Sequence, residues 1–394
     1  MKILAFTPYG SMIGGANRSF LMVLSGLKNT YHHEIHVVVP KEEKLTEELS
    51  KVGISYSVAP SHTLSGIKSL SPINLFRLLR YEVRAAIDRK TAKALAKELA
   101  GEGFDIVYIN DTDNYLGAMV ALEMGLPYVW HFRSLVPSNM RFIASGKKIY
   151  GNCSRIITIS ERMKSLLVKN KAMPADRITM IHNGIPVPEN LPVSDQSAEN
   201  GFHFVLCGRI TPDKGHTDAI RALALLRDRG YGDIYLHIAG ATPSGGVTEY
   251  LTSLKAEISD LNIEDRVIFE GLVDNMADFR THMNGELMCS VCEPFGRVTL
   301  EGMRSGLIVI GSNTGGTPEI INDGVTGLLY EQGSHTDLAD KIERVYKNES
   351  ERAAIIASGL EFSRTHFTAE TNVCAVNAVI AEAHKEFKKQ NGIG

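Results

Sequence analysis

No stretch of about 18 uncharged apolar residues occurs in this chain, which excludes a helix able to span a bilayer. The opening Met1-Lys-Ile-Leu-Ala-Phe-Thr-Pro8 is interrupted too early for a signal peptide and reads as a first strand. Cysteine is scarce: five residues, an odd number with no framework of spacings, fit a reducing cytoplasm rather than a disulfide scaffold. Cys289-x-x-Cys292 has no second pair to complete a metal site. Three residues apart in a strand, its thiols face opposite sides, so a structural role is expected. Low-complexity tracts and short repeats are also missing. Net charge is only −3, and no nucleic-acid partner is expected. That small total conceals a split. Residues 1–190 hold 24 Lys and Arg against 16 Asp and Glu, a balance of +8; the remainder hold 18 against 29, a balance of −11.

With 394 residues, 44% of them hydrophobic, the chain can build two cores. In the first half, Lys2–Phe6, 54–58, 105–109, Glu34–Val39, Tyr128–Phe132, 155–159 and 178–181 read as buried strands, with helical patterns between them such as 20–28 and 75–99. Residues 183–201 then lose all period, carry three prolines and read as a linker. A second alternating series follows at 203–207, 234–238, 266–269, 286–292, 307–310 and 327–329, and a long helical pattern closes the chain at about 368–389. Strands alternating with helices imply α/β architecture: two parallel, doubly wound sheets with ligand sites at the carboxyl ends of strands. The expected domains are 1–187, joined by a terminal helix at about 373–394, and 201–372. Two such domains facing a cleft offer a common place for a ligand.

The most informative stretch is Cys289-Ser-Val-Cys-Glu-Pro-Phe-Gly-Arg-Val-Thr-Leu-Glu301. A buried strand arrives, Glu293-Pro-Phe-Gly296 breaks it, and a helix starts at Arg297. Backbone N–H groups left unpaired at such a turn attract an anion. Glu293 and Glu301 flank it, and carboxylates suit hydroxyls rather than phosphate. A ligand with both phosphate and hydroxyls, such as a nucleotide sugar, fits; a surface turn with two solvated glutamates is the alternative. Gly208-Arg-Ile-Thr-Pro-Asp-Lys-Gly215 puts Arg209 and Lys214 at a strand end where they can hold a diphosphate. Gly14-Gly15 sits before the helix that begins near Asn17, and serves either a tight turn or close approach to a ligand. His131 lies at the end of Tyr128–Phe132, where an α/β sheet places its chemistry. In Asn313-Thr-Gly-Gly-Thr-Pro-Glu319, Pro318 can open a helix and Glu319 favour its N-terminus. Asn183-Gly184 reads as hinge structure. Asp111-Thr-Asp113 reads as a loop or helix cap rather than a metal site.

In this order, Gly14-Gly15, His131, His182-Asn-Gly-Ile185, Gly208-Arg-Ile, Lys214-Gly215, Glu293-Pro-Phe-Gly with Glu301, Gly315-Gly-Thr-Pro-Glu319 and Gly324-Val-Thr-Gly327 resemble the retaining glycosyltransferases of family 4, of the bacterial surface-polysaccharide type. The resemblance runs nearly the whole chain. It implies the GT-B fold, with the terminal helix crossing back to the first domain. It implies that Arg209 and Lys214 grip the donor diphosphate and that Glu301 takes the ribose hydroxyls. Glu293, with the amides of Phe295, Gly296, Arg297 and Val298, would meet the transferred sugar and distal phosphate. His131 would lie near the anomeric carbon, and Gly14 and Gly15 by the phosphates. Arg297 departs from the family, which often has an apolar residue there.

The implied reaction moves a sugar from a nucleoside-diphosphate donor, with UDP expected, to an acceptor hydroxyl with retention. No cofactor or metal is expected. A sugar-nucleotide epimerase of the same architecture and a non-catalytic nucleotide-sugar-binding subunit are the rivals. The acceptor is expected to be a sugar or a lipid-linked molecule, met in the cytoplasm or at the inner face of the membrane. Eight Lys or Arg from Lys68 to Lys97 accompany Leu75, Phe76, Leu78, Leu79, Val83 and Ile87 at near-helical spacing. Such a helix can dock on an anionic membrane. Because every domain helix needs an inner face, burial of that stripe in its own domain is the first expectation.

Overall fold

The computed structural model describes residues 1–12, 14–62, 72–135, 149, 151–170, 174–187, 191–194, 196, 201–243 and 245–393. Lys68 and residues 188–190, 195 and 197–200 of the expected linker lie outside them. The chain forms two compact units, Met1–Pro186 with Ala369–Gly394, and Val187–Thr368.

In the first unit seven strands form one parallel sheet: β1 (Lys2–Phe6), β2 (Glu34–Val39), β3 (Ser55–Val58), β4 (Ile106–Asn110), β5 (Tyr128–Phe132), β6 (Arg155–Thr158) and β7 (Ile178–Met180). Their order is β3-β2-β1-β4-β5-β6-β7. Strands β4 and β5 are buried throughout, which is why they read as continuous apolar runs. Helix α1 (Gly15–Asn29) covers one face, and the terminal helix Ala369–Asn391 packs across it. Val373, Val376 and Ile380 of that helix join the core of Ile3, Phe20 and Tyr108.

Two further helices matter here, α2 (Lys44–Lys51) and α3 (Pro72–Leu99), the second packed along α4 (Tyr115–Met124). Its inward face is Ala85, Asp88, Ala92, Leu95, Ala96 and Leu99. Asp88 is buried against His62, whose Nδ1 is 2.7 Å from Asp88 Oδ1. The stripe expected to turn inward does not. Leu75, Phe76, Leu79, Val83 and Ile87 are exposed, and only Leu78 is half-buried, because the helix already has an apolar face at a different phase.

The second unit holds β8 (Phe202–Cys207), β9 (Ile234–Ala239), β10 (Val267–Gly271), β11 (Gly285–Met288), β12 (Ile308–Ser312) and β13 (Leu328–Tyr330), in order β10-β9-β8-β11-β12-β13 and all parallel. Strand β11 ends at Met288, four residues short of the run that reads as strand. The facing argument for Cys289 and Cys292 therefore fails, although both thiols are free and Cys289 sits in the core.

Each sheet reverses its order once, between β1 and β4 and between β8 and β11. Connections leaving the two strands at such a point turn to opposite sides and open a crevice at their carboxyl ends. No helix among the described residues is long and apolar enough to cross a membrane.

Candidate functional site

In the second unit the loops after β8 and β11 meet at the switch point. The first runs through a single 3-10 turn, Pro212–Lys214, and Gly215 (φ 69°) launches the helix His216–Asp228. Only glycine fits at 215: a Cβ there would stand 1.9 Å from the Cys289 carbonyl oxygen. The amide of Val291 donates to Asp213 O at 2.9 Å, fastening the two loops. Their side chains then meet: Lys214 Nζ is 2.7 Å from Glu293 Oε2, which also accepts from Ser290 Oγ at 3.1 Å. Both charged groups are under one-fifth exposed. Arg209 differs, being exposed and without a side-chain partner among the described residues.

The loop after β12 holds the Glu293 loop from the other side. Ser312 Oγ donates to Ser290 O at 2.7 Å, Thr314 Oγ1 to Val291 O at 2.6 Å, and the Gly316 amide to Glu293 O at 2.8 Å. Pro318 opens one 3-10 turn, Thr317–Glu319, rather than an α-helix. Phe295 is buried, its ring 5.7 Å from that of Phe367. Gly296 (φ 100°) is the N-cap of the helix Arg297–Arg304, with no side chain bonded over its end. The positive end of the helix dipole thus lies beside Glu293, in the place that suits an anionic ligand group.

The first unit gathers a second polar cluster at the ends of β1, β4 and β5. His131 is fully buried, and its Nδ1 lies 2.7 Å from Tyr108 Oη and 3.3 Å from Arg133 Nη2. A guanidinium can only donate, so Nδ1 accepts and the ring proton sits on Nε2. Nε2 is buried with no hydrogen-bond partner among the described residues. Burial, then the charge of Arg133, holds the His131 pKa well below its ordinary value, so the ring is neutral. Arg133 donates from Nε to Asn110 Oδ1 at 2.7 Å and from Nη1 to Asn183 Oδ1 at 2.5 Å. Asn183, read as hinge structure, is thus a buried partner of this cluster. Asp111 stands at a left-handed φ of 64° with its carboxylate taken by Thr112 N and Oγ1 and by Ser134 Oγ. That is a loop arrangement; the N-cap of α4 is Asn114. Gly14 (φ 89°) caps α1, and a Cβ there would touch nothing within 4 Å.

Two family descriptions match the chain one after the other, Glycosyltransferase Family 4 over residues 13–188 and Glycosyl transferases group 1 over residues 189–362. The chain belongs to the family 4-type glycosyltransferases of the GT-B fold. An uncharacterized glycosyltransferase of Methanocaldococcus jannaschii is 24% identical over 392 residues, which is 97% of this chain and 98% of that one. The N-acetyl-alpha-D-glucosaminyl L-malate synthase of Bacillus anthracis is 41% identical over 115 residues, 28% of this chain and 30% of that relative. Among solved structures, HepE of Anabaena in complex with UDP superposes with a TM-score of 0.80 at 19% identity, covering 97% of this chain and all of that one.

Within the second unit of this glycosyltransferase, Lys214, Glu293, Gly296 and the helix carrying Val298 and Glu301 share one rim of the sheet. Glu301 brings a group the sequence reading missed. Arg280, from the short helix Met276–Thr281, reaches Glu301 Oε2 at 3.3 Å and grips the fully buried Glu286 through Nε at 2.9 Å and Nη2 at 3.1 Å. Burial pushes the Glu286 carboxyl up, opposed by the guanidinium; with two bonds in place, Arg280 stays charged. Gly302 leaves the space, since a Cβ there would stand 2.4 Å from Glu286 Oε2. Arg297, the family departure, places Nη2 3.7 Å from Glu301 Oε1 one turn along the helix. The available signal was Glu286 itself, a carboxylate inside an apolar strand, which demands a buried cation.

Proposed function

We propose that this glycosyltransferase moves a sugar from a nucleoside-diphosphate donor, UDP-linked, to an acceptor hydroxyl with retention, in cell-surface polysaccharide or glycolipid synthesis. The observation that carries the reading is the contrast at one strand rim: Arg209 is uncommitted, Lys214 is paired to Glu293, and an uncapped helix end lies alongside. A diphosphate satisfies the cations and the helix end, while hydroxyls satisfy Glu293 and Glu301. The choice of UDP is supported by HepE of Anabaena, solved with UDP and with UDP-glucose. The surface-polymer context is supported by the capsular polysaccharide biosynthesis glycosyltransferase CapM of Staphylococcus aureus, 26% identical over 231 residues, 55% of this chain and 58% of that one.

In this reading the bond from the anomeric carbon to the diphosphate oxygen breaks as a bond from the acceptor oxygen forms on the same face. The acceptor proton passes to the leaving phosphate oxygen. Charge grows on that diphosphate in the transition state, so Lys214, held in place by Glu293, and the uncommitted Arg209 lower the barrier more than they tighten ground-state binding. The sugar becomes oxocarbenium-like, and the Glu293 carboxylate and main-chain carbonyls beside it stabilise it. His131 supplies a neutral Nε2–H donor to a sugar hydroxyl, because a protonated ring would repel the developing positive charge. Glu301 takes the ribose hydroxyls, oriented by Arg280 and Arg297.

The test is release of UDP from UDP-sugars with and without a panel of sugar and lipid-linked acceptors. Release that requires acceptor, with sugar recovered on the acceptor in the donor's anomeric configuration, is expected. Conversion of the donor sugar without acceptor would instead establish the epimerase, and binding without turnover the non-catalytic subunit.

A further inference from the structure

Asp88, in the middle of α3, is fully buried and commits both oxygens to one residue. Its Oδ2 accepts from the His62 amide at 3.2 Å, and its Oδ1 lies 2.7 Å from His62 Nδ1. A buried carboxylate is costly, and an apolar pair would fasten this loop at less cost. What the pair adds is a fixed imidazole. The amide bond anchors the backbone, and the ring bond sets the direction and tautomer of the side chain. A carboxylate accepts, so in the neutral ring the proton sits on Nδ1 and the lone pair on Nε2. The His62 side chain is 35% exposed, and Nε2 has no hydrogen-bond partner among the described residues.

His62 follows β3 by four residues, on the same rim of the sheet as the end of β5, where His131 stands. The order β3-β2-β1-β4-β5 puts β3 four spacings from β5, roughly 19 Å at ~4.8 Å each. Strand β1 lies midway, and the chain leaving it carries Tyr9, which is 39% exposed. The buried Asn17 holds this loop in place. Its Nδ2 donates to Tyr9 O and Ser11 O, both at 2.8 Å, while its Oδ1 accepts from Thr7 Oγ1 at 2.7 Å. An exposed aromatic on a fixed backbone offers an apolar face with a polar edge, which matches the C–H face and hydroxyl rim of a sugar ring.

We propose that this rim binds an extended saccharide acceptor. Its reacting hydroxyl sits at His131, a sugar further back lies against Tyr9, and a hydroxyl of a still more distant sugar donates to His62 Nε2. The proposal rests on the transfer reading above and narrows its acceptor to a chain of several sugars, because a single sugar at His131 falls short of His62. The lone pair of Nε2 calls for a donor, which a sugar hydroxyl supplies and a phosphate diester does not.

Steady-state transfer to two nitrophenyl glycosides tests it on the full chain. One carries a single sugar and the other a tetrasaccharide ending in that same sugar, chosen as the one that supports UDP release in the acceptor panel. Wild type should show a tetrasaccharide KM lower on the order of 10-fold, at similar kcat. His62→Ala should remove most of that advantage by raising the tetrasaccharide KM, and Tyr9→Ala should do so independently. His62→Gln, which presents a carbonyl oxygen in place of Nε2, should recover part of it. Equal KM for the two glycosides on wild type overturns the proposal, as does an advantage that survives His62→Ala. So does a His62→Ala variant that lowers Tm and slows both acceptors alike, the mark of a mere fastener. Transfer to neither glycoside would overturn the transfer reading and this proposal with it, whereas transfer indifferent to chain length overturns this proposal alone.

Discussion

Replacing Gly315 by alanine asks how firmly the loop after β12 positions Glu293. Gly315 has φ 64°, and an added Cβ would stand 2.3 Å from the Glu293 carbonyl oxygen and 2.6 Å from its amide nitrogen. Ordinary contact begins at 3.4 Å, so one of the two loops must yield by about 1 Å. Backbone on both sides leaves no flexible side chain to absorb it. The left-handed φ costs roughly 1–2 kcal/mol with a Cβ present, reduced by about 0.4–1 kcal/mol because alanine also restricts the unfolded chain. Displacement adds roughly 1–3 kcal/mol, as overpacking does elsewhere. Gly230 provides the control. It has φ 94°, and a Cβ there meets nothing within 4 Å, so Gly230→Ala carries the conformational cost without the clash.

The expected outcome is that Gly230→Ala lowers Tm by a few degrees, at about 2–4 °C per kcal/mol for a unit of this size, with turnover unchanged. Gly315→Ala should lower Tm further and cut kcat/KM on the order of 100-fold, the effect of a ~1 Å error in a catalytic group. Donor affinity should fall much less, since Arg209 lies on another loop. Measured kcat/KM of Gly315→Ala within threefold of wild type, with a Tm matching Gly230→Ala, would refute the idea that this loop sets the position of Glu293.

Arg209→Ala should reduce turnover on the order of 10²–10³-fold with Tm unchanged, since the side chain is exposed and unpaired; a loss under threefold in a steady-state assay would remove Arg209 from the site. Arg280→Met should cost roughly 3–5 kcal/mol in denaturant unfolding by stranding Glu286, and adding Glu286→Leu should recover most of it. Equal stability of Arg280→Met and wild type would show that the pair does not hold this region. Chelator treatment should leave the transfer rate unchanged, because Arg209 and Lys214 stand where a divalent ion would neutralise the diphosphate; activity lost and then restored by Mg²⁺ or Mn²⁺ would contradict this. His131 is held neutral in the fold and gains a proton near pH 6.5 when unfolded, so its contribution to stability is present above about 6.5 and fades as pH falls. The stability difference between wild type and His131→Asn should therefore be flat from about pH 7 to 9 and shrink below 6.5; a difference that grows on acidification would mean that the ring is charged in the fold.

The strands were legible because parallel sheets bury both faces, and a run such as Ile106–Asn110 has no other reading. Where β11 ends was not. Its sequence stays apolar to Cys292, but the Ser290 and Val291 carbonyls accept from Ser312 Oγ and Thr314 Oγ1, and the Val291 amide donates to Asp213 O, instead of pairing with a neighbouring strand. Periodicity reports which residues are apolar, not which groups their backbone will meet. The same limit hid the Lys214–Glu293 pair, 79 residues apart, which needs both the reversal of strand order and the glycine at 215 to bring its loops together.

Helix α3 shows a different limit. Its sequence holds two apolar stripes on opposite faces, and periodicity gives no rule for which one the fold will use. The choice is made by neighbours. Small residues at 85, 92 and 96 let α3 lie close along α4, whose first seven residues are all buried, while Phe76 and Leu79 at the same contact would hold the helices apart. Close packing therefore selects the alanine face and leaves the bulky face outside. An apolar face left exposed by the packing of its own unit costs solubility without adding to the core.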